Sequence, residues 1–118
     1  MADVPNFQII NFVDTPITLQ FSATGSAQAM LTTPNNPVVD ITGFRKVSIR
    51  LDPSKLYGMT CEIMMGQIAP NTMCSAFKVP IDSAIHTFDV VGPQMLLAFA
   101  NGPANTTKTM QLLVYLRS

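Results

Sequence analysis

Apolar and polar residues alternate along much of the chain, which is the pattern of a β-strand with one buried face. Between Phe44 and Leu51, the apolar residues Val47, Ile49 and Leu51 fall on one face and charged or hydroxyl residues fall on the other. The stretch from Thr109 to Arg117 repeats this alternation. With a single glutamate, nine prolines and many β-branched residues, the chain favours extended backbone over helix.

The pattern predicts eight or nine short strands, separated by turn signals about every ten residues. The predicted segments are Phe7–Val13, Ile17–Ser22, Ala27–Thr32, Phe44–Leu51, Tyr57–Met65, Met73–Val79, Ile85–Val91, Met95–Ala100 and Thr109–Arg117. The stretch from Thr32 to Val39 is the least regular and is predicted to be a long crossing loop.

These elements predict an all-β fold: an antiparallel β-sandwich of jelly-roll or Greek-key type, with essentially no helix. At 118 residues, the chain from 1 to 118 is expected to form a single sandwich domain. An immunoglobulin-type sandwich is disfavoured, because there is no tryptophan for its core and the two cysteines are close together in sequence.

Several predicted strands are apolar on both faces, although only 12% of the residues are charged. A strand on the water-facing side of a lone sandwich should alternate instead. We therefore predict a homo-oligomer, shell or filament, with the N-terminal strand and the last two strands as contact elements. The predicted interface residues are Phe12, Leu96, Leu113 and Tyr115. The alternative is that these strands lie in the middle of their sheets, beneath their own loops.

The two cysteines, Cys61 and Cys74, are equidistant from Gly66–Ala69. If the chain folds back there, they lie nearly opposite each other, and a cross-strand disulfide is one reading. The other reading, which the lack of a secretory signal favours, is two thiols that behave as small apolar residues.

Nothing in the sequence indicates an enzyme, a cofactor or a metal. The single histidine, His86, could be combined with Ser83, Cys74 or Asp89, but no nucleophile motif frames it. In an unbroken strand His86 and Asp89 point to opposite faces. The two cysteines and His86 also lack the paired spacing of a metal site.

The charge balance gives no reason to expect a nucleic-acid partner, because seven basic and seven acidic residues cancel. The basic residues Arg45, Lys46, Arg50 and Lys55 cluster in sequence. Few aromatic residues accompany them, so a solvated outer face is the better interpretation.

Two polar loops suggest a second function, carbohydrate binding. The candidate ligand residues in these loops are Asn35, Asn36, Asn101 and Asn105. The loop from Asn101 to Thr107 also contains a glycosylation acceptor pattern at Asn105.

The N-terminus lacks the features of a signal peptide, and no run approaches the length of a spanning helix. Membrane insertion is not expected. The sequence is compatible with a cytoplasmic protein and with a protein associated with a particle, and does not distinguish between them. The sequence thus favours a self-assembling structural protein, with a glycan-binding module as the alternative.

Overall fold

The computed structural model describes residues 7–32, 36–53, 58–67 and 72–118. These residues form nine strands and no helix. The strands are β1 (Phe7–Gln20), β2 (Ala27–Gln28), β3 (Val39–Asp40), β4 (Lys46–Pro53), β5 (Thr60–Gly66), β6 (Cys74–Val79), β7 (Ile85–Asp89), β8 (Gln94–Ala100) and β9 (Thr107–Arg117).

The strands form two antiparallel sheets, and the predicted β-sandwich is confirmed. The first sheet has the order β1-β9-β4-β7, and the second has the order β2-β8-β5-β6, with β3 also paired to β8. From β4 onwards, each strand lies in a different sheet from the strand before it, except that β6 follows β5 as a hairpin. The jelly-roll class remains a prediction at this point.

The core lies between the sheets and follows the alternation in the sequence. In β4, the buried residues are Val47, Ile49 and Leu51, as the pattern predicts. In β9, alternate residues from Met110 to Leu116 are fully buried. Because the described residues bury no polar or charged side chain here, the core is held by apolar packing alone.

The first strand differs from the prediction, which ended one strand at Val13 and began another at Ile17. β1 instead runs continuously, with a bulge in its pairing to β9 between Phe12 and Ile17. Pro16 is tolerated inside this strand because β1 lies at the edge of its sheet, where a missing backbone N–H breaks no ladder bond.

Two other boundaries also differ. The segment predicted as Ala27–Thr32 pairs with β8 only at Ala27 and Gln28. The predicted crossing loop contains the short strand β3 at its end, where Val39 and Asp40 pair with β8. Both are brief contacts with a central strand, and too few residues are involved to give a periodic signal in the sequence.

The two sides of the sandwich are closed differently. On one side, the rings of Phe77 in β6 and Phe88 in β7 lie 5.1 Å apart and bridge the two sheets. On the opposite side lie the edges β1 and β2, which share few contacts. This second side is therefore the more open one.

At one end of this open side, two glycines bring two loops together. The N–H of Gly102 donates a hydrogen bond to the carbonyl of Gly25, 3.0 Å away. Gly25 has a φ of 77°, and a Cβ placed on it would lie 2.6 Å from the Gly102 oxygen. Glycine at position 25 is thus required both by the left-handed backbone and by the close approach of the second loop.

We predict that Gly25→Ala destabilises the fold more than Gly58→Ala. Both positions have a left-handed backbone, which costs about 1 kcal/mol for alanine. Gly25 also faces backbone atoms, whereas no atom of the described residues lies within 4 Å of a Cβ placed at Gly58. The clash should add about 1–3 kcal/mol, measured as the free energy of unfolding in urea. Equal losses in the two variants would show that the loop contact contributes nothing.

Candidate functional site

A groove of about 940 Å³ runs along the open side of the sandwich. One wall is the second half of β1, and the other side is formed by β2 and the outer face of the second sheet. The sixteen lining residues are Phe12, Thr15, Pro16, Ile17, Thr18, Gln20, Ser22, Ser26, Ala27, Gln28, Met30, Thr60, Glu62, Ala98, Phe99 and Ala100.

Two alanines of β8 lie in the floor of the groove. Ala98 is paired with Gln28 on one side and with Glu62 on the other, so these three residues form one row across the sheet. Neighbouring strands lie about 4.8 Å apart, which places the backbones of Gln28 and Glu62 about 10 Å from each other. Ala100 and Thr60 form the next row. An amide and a carboxylate thus flank a floor of small side chains.

The bulge in β1 forms part of the groove wall. Before the bulge, Phe12 lies opposite Leu112, a core residue, and packs partly against the core. Residues 13–16 lie between Phe12 and Ile17 in β1, opposite the single residue Gln111 of β9, and Ile17 is again a buried core residue. Phe12 and Pro16 therefore contribute apolar surface to a wall that is otherwise rich in hydroxyl and amide groups.

Two of the predicted ligand residues lie at the end of this groove. Asn101 Nδ2 is 3.5 Å from the hydroxyl oxygen of Thr60. The N–H of Asn105 donates to the carbonyl of Ser22, 3.0 Å away. Both asparagines have a positive φ, near 60°, which asparagine tolerates better than most residues.

The other predicted asparagines do not join them. Asn36 uses its side-chain oxygen to accept a hydrogen bond from the N–H of Val38, within its own loop. Asn35 lies outside the described residues, as do Lys55 and Tyr57. The structure therefore brings together one of the two predicted loops and the groove.

A second surface lies on the outer face of the first sheet. Phe7 and Ile9 of β1 are 60% and 46% exposed, which is unusual for large apolar side chains. Ile9 is paired with Tyr115 of β9, and the rings of Phe7 and Tyr115 lie 5.7 Å apart. We call Phe7, Ile9 and Tyr115 the β1 cluster.

The predicted interface residues divide into two groups. Tyr115 belongs to the β1 cluster, and Phe12 lines the groove. Leu96 and Leu113 are only 4% and 9% exposed, so the prediction of a free contact surface at these two residues is wrong. Both lie on central strands, β8 and β9, where side chains from neighbouring strands on two sides cover them.

The disulfide reading is also wrong, because both cysteines are free. In the β5–β6 hairpin, Cys61 pairs with Val79, whereas Cys74 pairs with Met65. Four residues along a strand separate the two positions by about 13 Å, far beyond the reach of a disulfide. The predicted turn at Gly66–Ala69 was too early, since Gln67 and Thr72 close the loop with a 2.9 Å backbone hydrogen bond.

His86 has a carboxylate neighbour, but it is Asp82 rather than Asp89. His86 Nε2 lies 2.9 Å from Asp82 Oδ1, and this hydrogen bond holds the pKa of the Asp82 carboxyl below its ordinary value. The pair lies at the start of β7, on the surface.

The basic residues of β4 are engaged in ion pairs on the outer face of the first sheet. Lys46 pairs with Asp89 of β7. Arg50 Nε lies 2.8 Å from Asp52 Oδ2, although its N–H is not aimed at any acceptor among the described residues. This half of the face is therefore charged and polar, in contrast to the β1 cluster.

In the part of the chain that the structure describes, no group of three or more His, Cys, Asp or Glu side chains is arranged to hold a metal ion. In the same residues there is no helix with the length and apolar character needed to cross a membrane.

The groove residues Gln28, Thr60 and Glu62 were not predicted from the sequence. Their polar side chains alternate with buried residues, which is the pattern of any solvent-exposed face of a sheet. What makes them a site is the register of β2 and β5 on β8, together with the β1 bulge. Ala98 and Ala100 are the one local sequence feature that indicates a groove, because their small side chains leave space on the outer face of the sheet.

No protein-family model and no curated protein matches the chain. Among solved structures, it is similar to the crystal structure of the SPBc2 prophage-derived protein YomS, with 9% sequence identity and a TM-score of 0.44. The alignment covers 100% of this chain and 98% of the other.

We predict that a thiol reagent modifies Cys74 in the native protein and leaves Cys61 intact. Cys74 is exposed, whereas burial, reinforced by the nearby Glu62 carboxylate, raises the pKa of Cys61 to about 12. Thiol titration should therefore give one reactive group per native chain and two in denaturant. Cys74→Ser should remove the native reaction, and Cys61→Ser should preserve it. Rapid native labelling of Cys61 would contradict the described packing of β5.

Proposed function

We propose that this protein is a non-enzymatic structural subunit of jelly-roll type that assembles with copies of itself through the first half of β1. One observation carries the proposal: a regular sheet edge in which large apolar side chains are exposed. The finer fold class is supported by the strand order, since β1-β9-β4-β7 of one sheet faces β2-β8-β5-β6 of the other and most successive strands cross between the sheets.

The first half of β1 has the properties of a pairing edge. From Phe7 to Phe12, it pairs in unbroken register with β9 on one side. The part of the chain that the structure describes places no strand on its other side. Such an edge presents unpaired N–H and C=O groups, which can template the addition of another strand.

The other edges are less suited to this role. β2 has only two residues, and short edge strands give little to pair with. β7 has five residues, and the Lys46–Asp89 ion pair lies on its outer face. Charged side chains at an edge discourage association. β6, the remaining edge, pairs with β5 through a shifted register and carries the exposed Lys78. Among these edges, the first half of β1 combines a regular register with two large exposed apolar side chains, Phe7 and Ile9.

A second copy is the occupant that this surface fits best. An antiparallel pairing of β1 with itself about a two-fold axis would continue the sheet across both subunits. It would also place the β1 cluster of each subunit beside that of the other, which shields the exposed Phe7 and Ile9 from water. The three side chains of the cluster carry no charge, and Arg117, which lies opposite Phe7 in β9, borders the cluster at one end.

We predict that the protein exceeds the 12.8 kDa monomer mass in solution at micromolar concentration and that Ile9→Lys shifts it towards that mass. A lysine at position 9 would place a charge in the middle of the proposed contact. The measurement is size-exclusion chromatography with light scattering, under reducing conditions so that Cys74 cannot crosslink the chains.

The matched control is Thr87→Lys, which adds the same charge to an exposed position of the same sheet face, on the far edge strand β7. It should leave the mass of the assembly unchanged. A wild-type protein that stays monomeric throughout the micromolar range would refute the proposal, as would an assembly that Ile9→Lys leaves intact.

A further inference from the structure

We propose that the groove between β1 and the outer face of the second sheet binds a neutral oligosaccharide. This site is separate from the β1 cluster, because the groove lies along the second half of β1 and the cluster along the first. The inference therefore does not depend on self-association.

The charges of the groove select against ionic ligands. Of its sixteen described lining residues, only Glu62 is charged, and none is a lysine or an arginine. Phosphate groups and acidic sugars are ordinarily held by cations, which this lining does not supply. Lys78 pairs with Glu62 on the side of β5 away from the groove floor. An uncharged ligand fits best.

The polar groups of the groove match a ligand rich in hydroxyl groups. Thr15, Thr18 and Thr60 bring hydroxyls, each of which can both donate and accept a hydrogen bond. The hydroxyls of Ser22 and Ser26 also line the groove, but both hydrogen-bond with the Thr24 hydroxyl in their own turn. Gln20 and Gln28 add amides with the same double capacity. The Glu62 carboxylate accepts two or more bonds, so neighbouring hydroxyls of one ligand could donate to it together.

The apolar part of the groove suits the carbon–hydrogen faces of sugar rings. Phe12 and Pro16 form part of one wall, and Ala98 and Ala100 form the floor. These surfaces are interleaved with the hydroxyl and amide groups. The volume of about 940 Å³ lies near the upper end of small-ligand sites, which is room for more than one sugar ring.

An extended peptide is the competing ligand, and the two strands that border the groove disfavour it. A peptide strand would need a continuous edge to pair with. β2 offers two residues, and the second half of β1 begins with a bulge that contains Pro16. Both features interrupt hydrogen-bond ladders, so a ligand in the groove would be recognised by side chains and not by backbone pairing.

The loop that carries Asn101 and Asn105 extends the site at one end. Asn101 lies next to Thr60, and the backbone of Asn105 bonds to Ser22, both of which line the groove. The Gly25–Gly102 contact holds this loop against the turn after β1. A ligand longer than the groove would therefore meet the Asn101 side chain next.

The test begins with the labelled wild-type protein on an array of neutral oligosaccharides, acidic oligosaccharides and extended peptides. We expect saturable binding to at least one neutral oligosaccharide, which is then titrated calorimetrically against the variants. Glu62→Gln and Gln28→Ala should each raise Kd by about tenfold or more, since each removes hydrogen bonds to the ligand. Ala98→Phe should abolish binding by filling the floor.

The matched control is Gln111→Ala, which removes the same amide from an exposed position on the outer face of the other sheet. It should leave Kd unchanged, and thermal unfolding confirms that each variant is folded. The proposal is overturned if no neutral oligosaccharide binds, if only acidic sugars or peptides bind, or if binding survives Ala98→Phe. The light-scattering result for Ile9→Lys has no bearing on these outcomes.

Discussion

The constraint on which this structure depends is that two sheets must cover each other without any help from helices. In the described part of the chain, every large buried group lies on a strand or on a segment next to one, and the interior contains no polar side chain. Hydrophobic burial between the inner faces is therefore the main stabilising term. Phe77 and Phe88 close one side of this layer, and the opposite side is left to the edges β1 and β2.

The bulge in β1 divides that open side into two surfaces of different chemistry. Before the bulge, β1 is a regular edge with exposed Phe7 and Ile9, a surface suited to another copy of the chain. After it, the strand borders a groove with hydroxyl and amide groups, a surface suited to a small polar ligand. One local irregularity thus separates the two proposed roles along one strand, with Phe12, the last residue of the regular edge, also lining the groove.

The inner faces could be predicted from the sequence because strict alternation, as in Val47, Ile49 and Leu51, has one simple solution in a sheet. The burial of Leu96 and Leu113 could not be predicted from the sequence. An apolar residue on an outer face gives the same pattern whether it is covered by neighbouring strands or by another molecule. The cysteine pairing failed for a related reason, because a hairpin register depends on where its loop closes. The groove depends on the register of three strands and a bulge, none of which leaves a periodic signal.

Amide hydrogen exchange of β1 at low and high protein concentration tests the central claim most directly. Backbone groups at an open sheet edge exchange readily, and pairing with a second copy protects them. If the first half of β1 is the assembly edge, protection from Phe7 to Phe12 will rise with concentration while β7 from Ile85 to Asp89 stays unchanged. Exchange in β1 that is independent of concentration, or protection that appears at β7 instead, would contradict the account.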